Sequence, residues 1–123
     1  MKILVVEDEK PLAEVFEEKL KREGYFVDIA TDGEMAISMA KESHPDAIVL
    51  DLRLPKKDGF EVLGEIKKDD LLKMIPVIVV SNLMLDTDIK RAFSLGAADY
   101  YVKSEHPINA IVEKIVGAVS KSK

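Results

Sequence analysis

Acidic side chains, a serine hydroxyl and a lysine ammonium each follow a separate apolar run of the sequence. Glu7 and Asp8 follow the first run, Asp51 a second, Ser81 a third and Lys103 a fourth. Carboxylates held close together repel one another unless a cation compensates them. Mg²⁺ prefers oxygen ligands and commonly combines one or two protein carboxylates with water, which leaves room for a phosphate oxygen. These residue types together indicate a Mg²⁺-dependent phosphoryl-transfer site.

Each residue type has a definite use in that chemistry. The Asp51 carboxylate can attack an activated phosphorus and form an aspartyl phosphate. Mg²⁺ and the Lys103 ammonium would neutralise charge that develops on the phosphoryl oxygens, and the Ser81 hydroxyl can donate a hydrogen bond to one of them. Because each residue is common on its own, the prediction depends on the four strand ends meeting at one place.

Short apolar runs predict the strands that would carry these residues. Three runs rich in Ile and Val lack polar alternation, which is typical of strands buried on both faces. Two further runs are mixed in polarity, as edge strands often are. The predicted strands span residues 3–6, 25–30, 47–50, 77–80 and 99–102.

Stretches with helical spacing separate and follow these strands. The clearest one follows Pro107, which suits a first helical turn, and has apolar residues from Ile108 to Val119 on one face. Gly24 and Gly96 suit the left-handed position that ends a helix. The first predicted helix contains Leu12, Phe16 and Leu20. The other four span about residues 33–42, 59–68, 86–95 and 108–119.

The alternation of strand and helix is typical of a parallel sheet covered by helices on both faces. With the mixed strands at the edges, the sequence predicts an α/β fold of the flavodoxin-like doubly wound (βα)5 type, with a five-stranded parallel sheet of order 2-1-3-4-5. Ligands bind such sheets at the carboxyl ends of the strands, near the switch point between strands 1 and 3. We therefore expect the candidate residues at this edge.

Composition restricts the possible functions. The 123 residues suit one domain, and we expect residues 1–123 to form a single domain with no output domain. The net charge of -5 disfavours direct binding of nucleic acid, and the absence of cysteine excludes disulfides and thiolate metal sites. The first apolar run is too short for a signal sequence or a membrane span, so we expect a cytoplasmic protein without a membrane partner.

The segments around the candidate residues resemble the receiver domain of two-component response regulators, in particular the single-domain, chemotaxis-regulator-like members. They read ILVVEDE at the first strand, DAIVLDLRLPKKDGFEVL around Asp51, PVIVVSN at the fourth strand and GAADYYVKS at the fifth. The resemblance covers essentially the whole chain. The pattern D-x-x-L-P-x-x-D-G, from Asp51 to Gly59, is specific in combination with the first-strand acids and the fifth-strand lysine.

This resemblance implies a role for each residue of the metal site. Asp51 matches the phosphoacceptor and Asp8 a direct Mg²⁺ ligand. Glu7 matches the neighbouring acid, which acts on the metal through water, and Arg53 the position that gives a backbone carbonyl ligand.

The resemblance also implies how a signal leaves the site. Ser81 matches the switch hydroxyl and Lys103 the phosphate-pairing lysine. Tyr100 matches a ring that turns inward when the hydroxyl is drawn to the phosphate, whereas Tyr101 would point the other way along the strand. The surface of the fourth helix, fifth strand and fifth helix would then bind an unknown downstream protein.

The implied activity is that of a phosphoacceptor regulator and not of an enzyme with other substrates. A sensor histidine kinase or a phosphotransfer protein would supply the phosphoryl group from a phosphohistidine. The domain itself would catalyse only its own phosphotransfer and dephosphorylation. We expect a switch domain of a two-component or phosphorelay signalling system.

The sequence departs from the family pattern at several positions. Lys103-Ser104 stands where a cis Lys-Pro bond is common, and a cis bond before a non-proline residue costs about 2.5 to 4 kcal/mol, so we expect a trans bond. Asn82 stands where a small residue is usual, and Arg53 and Leu83 occupy positions that tune hydrolysis. We hypothesise that Asn82 and Arg53 lengthen the life of the phosphorylated state.

Two other functions fit the same fold class. A phosphatase of the aspartyl-phosphate type needs a second acid two residues after the nucleophile, where this chain has Arg53. A flavodoxin-like electron carrier needs an anion cradle after the first strand, where the acids at 7–9 would repel the FMN phosphate.

Simpler structural roles are also open for two of the residues. Asp8 could be only the N-cap of the helix that contains Pro11. Tyr100 could be a plain aromatic residue of an edge strand.

Overall fold

The computed structural model describes residues 1–121; Ser122 and Lys123, the last two residues of the predicted domain, lie outside the described part. Strands and helices alternate along the chain, as predicted. The strands are β1 Lys2–Val6, β2 Phe26–Ala30, β3 Ala47–Leu50, β4 Val77–Ser81 and β5 Asp99–Val102. The helices are α1 Lys10–Arg22, α2 Gly33–Ser43, α3 Gly59–Lys68, α4 Asp86–Ser94 and α5 Ile108–Lys121, with a 3₁₀ turn, η1, at Lys103–Glu105.

All five strands are parallel and form one sheet of order β2-β1-β3-β4-β5. This confirms the predicted flavodoxin-like doubly wound (βα)5 fold, with the three continuous apolar strands at the centre and the two mixed strands at the edges. Apart from Lys2 at the start of β1 and Ser81 at the end of β4, the central strands are apolar, because helices cover both faces of the sheet.

Two apolar layers lie on opposite faces of the sheet. One layer packs α2, α3 and α4 on the strand residues that include Leu4, Leu50 and Val79. The other packs α1 and α5 on residues that include Val5 and Val49. Adjacent strand residues belong to different layers because side chains alternate across a strand.

The helix ends agree closely with the sequence prediction. Gly24 and Gly96 follow α1 and α4 with φ of 95° and 107°, a left-handed conformation that glycine adopts without strain. One detail differs, because α5 begins at Ile108 and Pro107 precedes its first turn. The Pro107 carbonyl accepts the amide hydrogen bonds of Ala110 and Ile111, at 3.0 and 3.2 Å. Within the described residues, no helix combines the length and apolar character needed to cross a membrane.

Candidate functional site

The carboxyl edge of the sheet brings the candidate residues together. Val6 and Leu50 are paired in the β1–β3 ladder, so the residues that follow them, Glu7 and Asp51, emerge side by side. The Asp51 amide donates to the Val6 carbonyl at 3.0 Å, which continues the ladder by one residue. Ser81 is the last residue of β4, and Lys103 directly follows β5.

Three carboxylates converge at this edge. Glu7, Asp8 and Asp51 each offer one oxygen, and these oxygens lie within 4.8 Å of one another. Glu7 and Asp51 are buried, with 2% and 5% of their surface exposed, whereas Asp8 is exposed. An all-oxygen cluster with one side open to solvent fits Mg²⁺, which binds few protein carboxylates and keeps several waters.

Lys103 is the positive partner of this cluster. Its Nζ lies 2.6 Å from Glu7 Oε1 and 2.9 Å from Asp51 Oδ2, although these residues are far apart in sequence. Burial lowers the pKa of Lys103, but the hydrogen bonds to Glu7 and Asp51 outweigh that effect and raise the pKa overall. The ammonium is therefore charged at neutral pH and held against both carboxylates.

Burial raises the pKa of Glu7 from its ordinary value of 4.5 to about 7. The hydrogen bond from Lys103 acts in the opposite direction, and the nearby Asp51 charge raises the pKa further. Glu7 Oε2 also accepts the Glu9 amide at 3.1 Å, so both carboxylate oxygens are engaged. A dication beside Asp51 and Asp8 would favour the charged form of Glu7.

The loop after β3 and the start of α3 fix the position of Asp51. Asp51 Oδ1 accepts the Arg53 amide at 3.2 Å. Gly59, the first residue of α3, packs so closely that an added Cβ would lie 2.4 Å from the Asp51 carbonyl oxygen and 2.4 Å from Leu52 Cα. Asp58 caps α3 by accepting the Glu61 amide at 2.9 Å. The Asp-Gly pair of the sequence pattern therefore starts α3 directly against the backbone of Asp51.

Ser81 ends β4, and the loop that follows it contains two of the departures from the family pattern, Asn82 and Leu83. Ser81 is fully buried, and its Oγ accepts the Leu83 amide at 3.4 Å, a long hydrogen bond. Asn82 Oδ1 accepts the Ser104 amide at 3.1 Å. The Lys103-Ser104 peptide bond is trans, as expected from the cost of a cis bond at this position.

Tyr100 and Tyr101 point into opposite layers, as predicted for neighbours on a strand. The Tyr100 hydroxyl donates to the Leu83 carbonyl at 2.7 Å. The Tyr101 hydroxyl donates to Asp99 Oδ2 at 2.6 Å, and burial together with that carboxylate raises the pKa of Tyr101 to about 12. Tyr100 is thus tied to the loop that follows Ser81, which a plain edge aromatic residue need not be.

An open cleft of about 530 Å³ lies beside the carboxylates. Its lining includes Asp8, Arg53, Phe60 and Arg91. The Arg91 guanidinium stacks on the Phe60 ring with 4.1 Å between its carbon and the ring centroid, which links α4 to α3 by a cation–π contact. The cleft leaves the Asp8 side of the carboxylate cluster open to solvent.

The structure also decides the role left open for Asp8 and adds two contacts that the sequence did not predict. Asp8 is not the N-cap of α1, because that position is occupied by Glu9, which makes no side-chain cap. The direct contact of Glu7 with Lys103 was not predicted, nor was the bond between Asn82 and Ser104. Charge complementarity could have suggested the first contact, but no sequence pattern signals the second.

Comparison with known proteins identifies the family. The model of the response regulator receiver domain matches residues 3–116, so the chain belongs to this family of signalling proteins. The chain is 37% identical to the ycf27 protein of Porphyridium aerugineum, described as a probable transcriptional regulator, over 123 residues. This match covers 98% of the chain but only 50% of the relative, so the chain spans about half the length of that curated protein.

Two solved structures show the same fold at similar identity. The Mn²⁺-bound form of response regulator Rcp1 is 35% identical with a TM-score of 0.83, over 93% of this chain and 90% of that one. The phosphorylated cyanobacterial phytochrome response regulator RcpA is 37% identical with a TM-score of 0.79, over 96% of this chain and 87% of that one.

Proposed function

We propose that this protein is a phosphoacceptor switch of a two-component or phosphorelay system, and that Asp51 accepts the phosphoryl group. The observation that carries the proposal is the contact of Lys103 with Asp51 inside a cluster of three carboxylates. Such a cluster is costly without a cation, and a lysine at the nucleophile is suited to a transferred phosphate. Family membership favours this function over a phosphatase or an electron carrier.

The metal site would consist of Asp8, Asp51 and the backbone carbonyl of Arg53, with Glu7 acting through water. Mg²⁺, when bound, would neutralise charge on the phosphoryl oxygens. The open position of Asp8 and the buried position of Asp51 suit a metal that also contacts solvent and phosphate. The Mn²⁺-bound structure of the related Rcp1 supports a divalent ion in this family.

In the transfer step, an Asp51 carboxylate oxygen forms a bond to phosphorus while the bond from phosphorus to the donor's histidine nitrogen breaks. That nitrogen keeps the electron pair, and the imidazole is released neutral once it holds a proton. Lys103 pairs with the transferred phosphoryl group, and the Ser81 hydroxyl donates to one of its oxygens. The donor is a sensor histidine kinase or a phosphotransfer protein.

The phosphorylated domain would signal by changing the surface that it offers to a binding partner. When Ser81 moves toward the phosphate, Tyr100 turns inward, and the face formed by α4, β5 and α5 offers a different surface to a downstream protein. The hydrogen bond from Tyr100 to Leu83 supports this link, because it joins β5 to the loop that directly follows Ser81. We place this activity in the cytoplasm, with residues 1–123 acting as one receiver domain through protein contacts and not through direct binding of nucleic acid.

Mass spectrometry with acetyl phosphate and Mg²⁺ tests the proposal. We expect the wild type to gain one phosphoryl group, Asp51→Ala to gain none, and chelation of Mg²⁺ to prevent labelling. Asp70→Ala is the matched control, because Asp70 is an exposed acid in the segment that connects α3 to the start of β4. Equal labelling of the wild type and Asp51→Ala would refute the assignment of Asp51.

The lifetime hypothesis needs a separate measurement. If Asn82 limits the approach of hydrolytic water, the phosphorylated Asn82→Ala variant loses its phosphoryl group faster than the wild type. Arg53→Ala tests the second half of the hypothesis in the same way. Equal decay of a variant and the wild type removes that residue from the hypothesis.

A further inference from the structure

Two residues that flank the proposed machinery contact each other directly. Asn82 follows Ser81, and Ser104 follows Lys103. The Ser104 amide donates to Asn82 Oδ1 at 3.1 Å, across 22 positions of sequence. This bond, which we call the Asn82–Ser104 clasp, joins the loop after β4 to η1.

The clasp depends on the chemistry of both residues. The donor is a backbone N–H, which exists at position 104 because the residue is serine and not proline. The acceptor is the amide oxygen of Asn82, since the side-chain nitrogen of asparagine only donates. The N–H belongs to the peptide unit between Lys103 and Ser104, so the clasp fixes the backbone that carries the lysine.

Two further contacts connect the same segments. The Tyr100 hydroxyl donates to the Leu83 carbonyl at 2.7 Å, and the Ser104 hydroxyl lies 3.9 Å from the Met84 sulfur. Of these three contacts, the clasp is the one that acts on the Lys103 peptide.

A lysine ammonium sits at the end of a flexible four-carbon stem, so the positions open to it depend on where the lysine backbone lies. Lys103 Nζ must stay within hydrogen-bond distance of Asp51, where it is 2.9 Å away. We infer that Asn82 is a positioning residue, which holds the Lys103 ammonium over Asp51 through the clasp. This inference rests on the proposed function, because it assigns Asn82 a part in phosphorylation of Asp51.

The first arm of the test is the rate of phosphorylation by acetyl phosphate and Mg²⁺. Asn82→Ala removes the acceptor and the bulk, whereas Asn82→Leu removes the acceptor and keeps the bulk. We expect both variants to react about threefold to tenfold more slowly than the wild type, as for loss of one hydrogen bond. Asn109→Ala and Asn109→Leu, on the exposed face of α5, are matched controls and should react at the wild-type rate.

The second arm separates positioning from general damage. In a Lys103→Met background there is no ammonium to place, so Asn82→Ala should cause no further loss of rate. Amide hydrogen exchange followed by NMR reports the clasp itself. Exchange at Ser104 should accelerate in both Asn82 variants and stay unchanged in both Asn109 variants.

Each outcome decides between supporting and overturning the inference. Unchanged Ser104 exchange in the Asn82 variants would mean that the clasp is absent. Faster phosphorylation of Asn82→Ala with a wild-type rate for Asn82→Leu would assign Asn82 a steric effect instead. A loss of rate that persists in the Lys103→Met background would also overturn it. An unlabelled wild type with a protected Ser104 amide would overturn the proposed function, and the positioning role with it.

Discussion

Burial of Glu7 links the stability of the protein to pH. The pKa of Glu7 is about 7 in the folded state and near 4.5 when the side chain is exposed. Between these values the folded state binds the proton and the unfolded state does not, so stability falls as pH rises through this window. In the absence of Mg²⁺ we expect a loss on the order of 3 kcal/mol in the free energy of unfolding from pH 4.5 to 7.

Urea unfolding at several pH values measures this effect. In Glu7→Gln the decline across the window should be absent, because glutamine does not titrate. Glu61→Gln, at an exposed acid of α3, is the control and should keep the wild-type decline. A wild-type curve parallel to that of Glu7→Gln would contradict the raised pKa.

Lys103 and Mg²⁺ compete electrostatically for the same carboxylates. The ammonium already neutralises part of the charge on Glu7 and Asp51, at distances of 2.6 and 2.9 Å. Its removal leaves more negative charge for the dication, so we expect Lys103→Met to bind Mg²⁺ about tenfold more tightly. Isothermal titration calorimetry measures the affinity. Lys57→Met, which breaks a surface pair with Glu65, should leave the affinity unchanged.

At the scale of elements, the start of α3 requires a residue without a side chain. A Cβ at position 59 would overlap the Asp51 carbonyl oxygen and Leu52 Cα, both at 2.4 Å, and neither backbone atom can move away freely. We expect Gly59→Ala to destabilise the protein by about 1 to 3 kcal/mol and to slow phosphorylation, because Asp51 is displaced. Denaturant unfolding and the rate of labelling measure the two effects.

Gly117→Ala should have the opposite effect, at a position inside a helix. Position 117 lies within α5, and a Cβ there would have no heavy atom within 4 Å. Alanine should stabilise the protein by about 0.5 to 1 kcal/mol, since it reduces the entropy lost on folding. Destabilisation at both glycines would show that the effect at Gly59 is not specific to its close packing.

Most elements were predictable from the sequence because their signals are local. The boundaries of β3, β5 and α3 agree with the prediction residue for residue, since apolar runs and the Asp58-Gly59 pair mark them. The edge positions of β2 and β5 followed from their mixed polarity. The predicted ends of α2 and α4 differ from the observed ends by one residue, and that of α5 by two, as is common for helix termini.

The site was predictable in outline for a topological reason. Parallel strands bring their carboxyl ends to one edge of the sheet. This topology alone predicts that Glu7, Asp51 and Lys103 lie close together. Contacts between particular atoms were not predictable. The Ser104 amide meets Asn82 only because two loops from different strands approach each other, and the pairing of residues so far apart depends on tertiary packing.

For the molecule as a whole, the carboxylate cluster predicts that Mg²⁺ stabilises the fold. The ion binds the folded state, where the three oxygens converge, and not the unfolded chain, where they separate. At about 100 times the dissociation constant we expect the melting temperature to rise by roughly 5 to 15 °C. Differential scanning calorimetry at constant ionic strength measures the shift, which should be absent in Asp8→Asn and retained in Asp28→Asn.

The opposite directions of Tyr100 and Tyr101 give the protein an optical probe of its own. The chain has three tyrosines and no tryptophan, so its ultraviolet emission comes from phenol rings. The Tyr101 hydroxyl is bonded to the Asp99 carboxylate, an acceptor that quenches an excited phenol, whereas the Tyr100 hydroxyl is bonded to a backbone carbonyl. If phosphorylation moves the Tyr100 ring away from that carbonyl, the emission of Tyr100 should change, and no dye is needed to observe it.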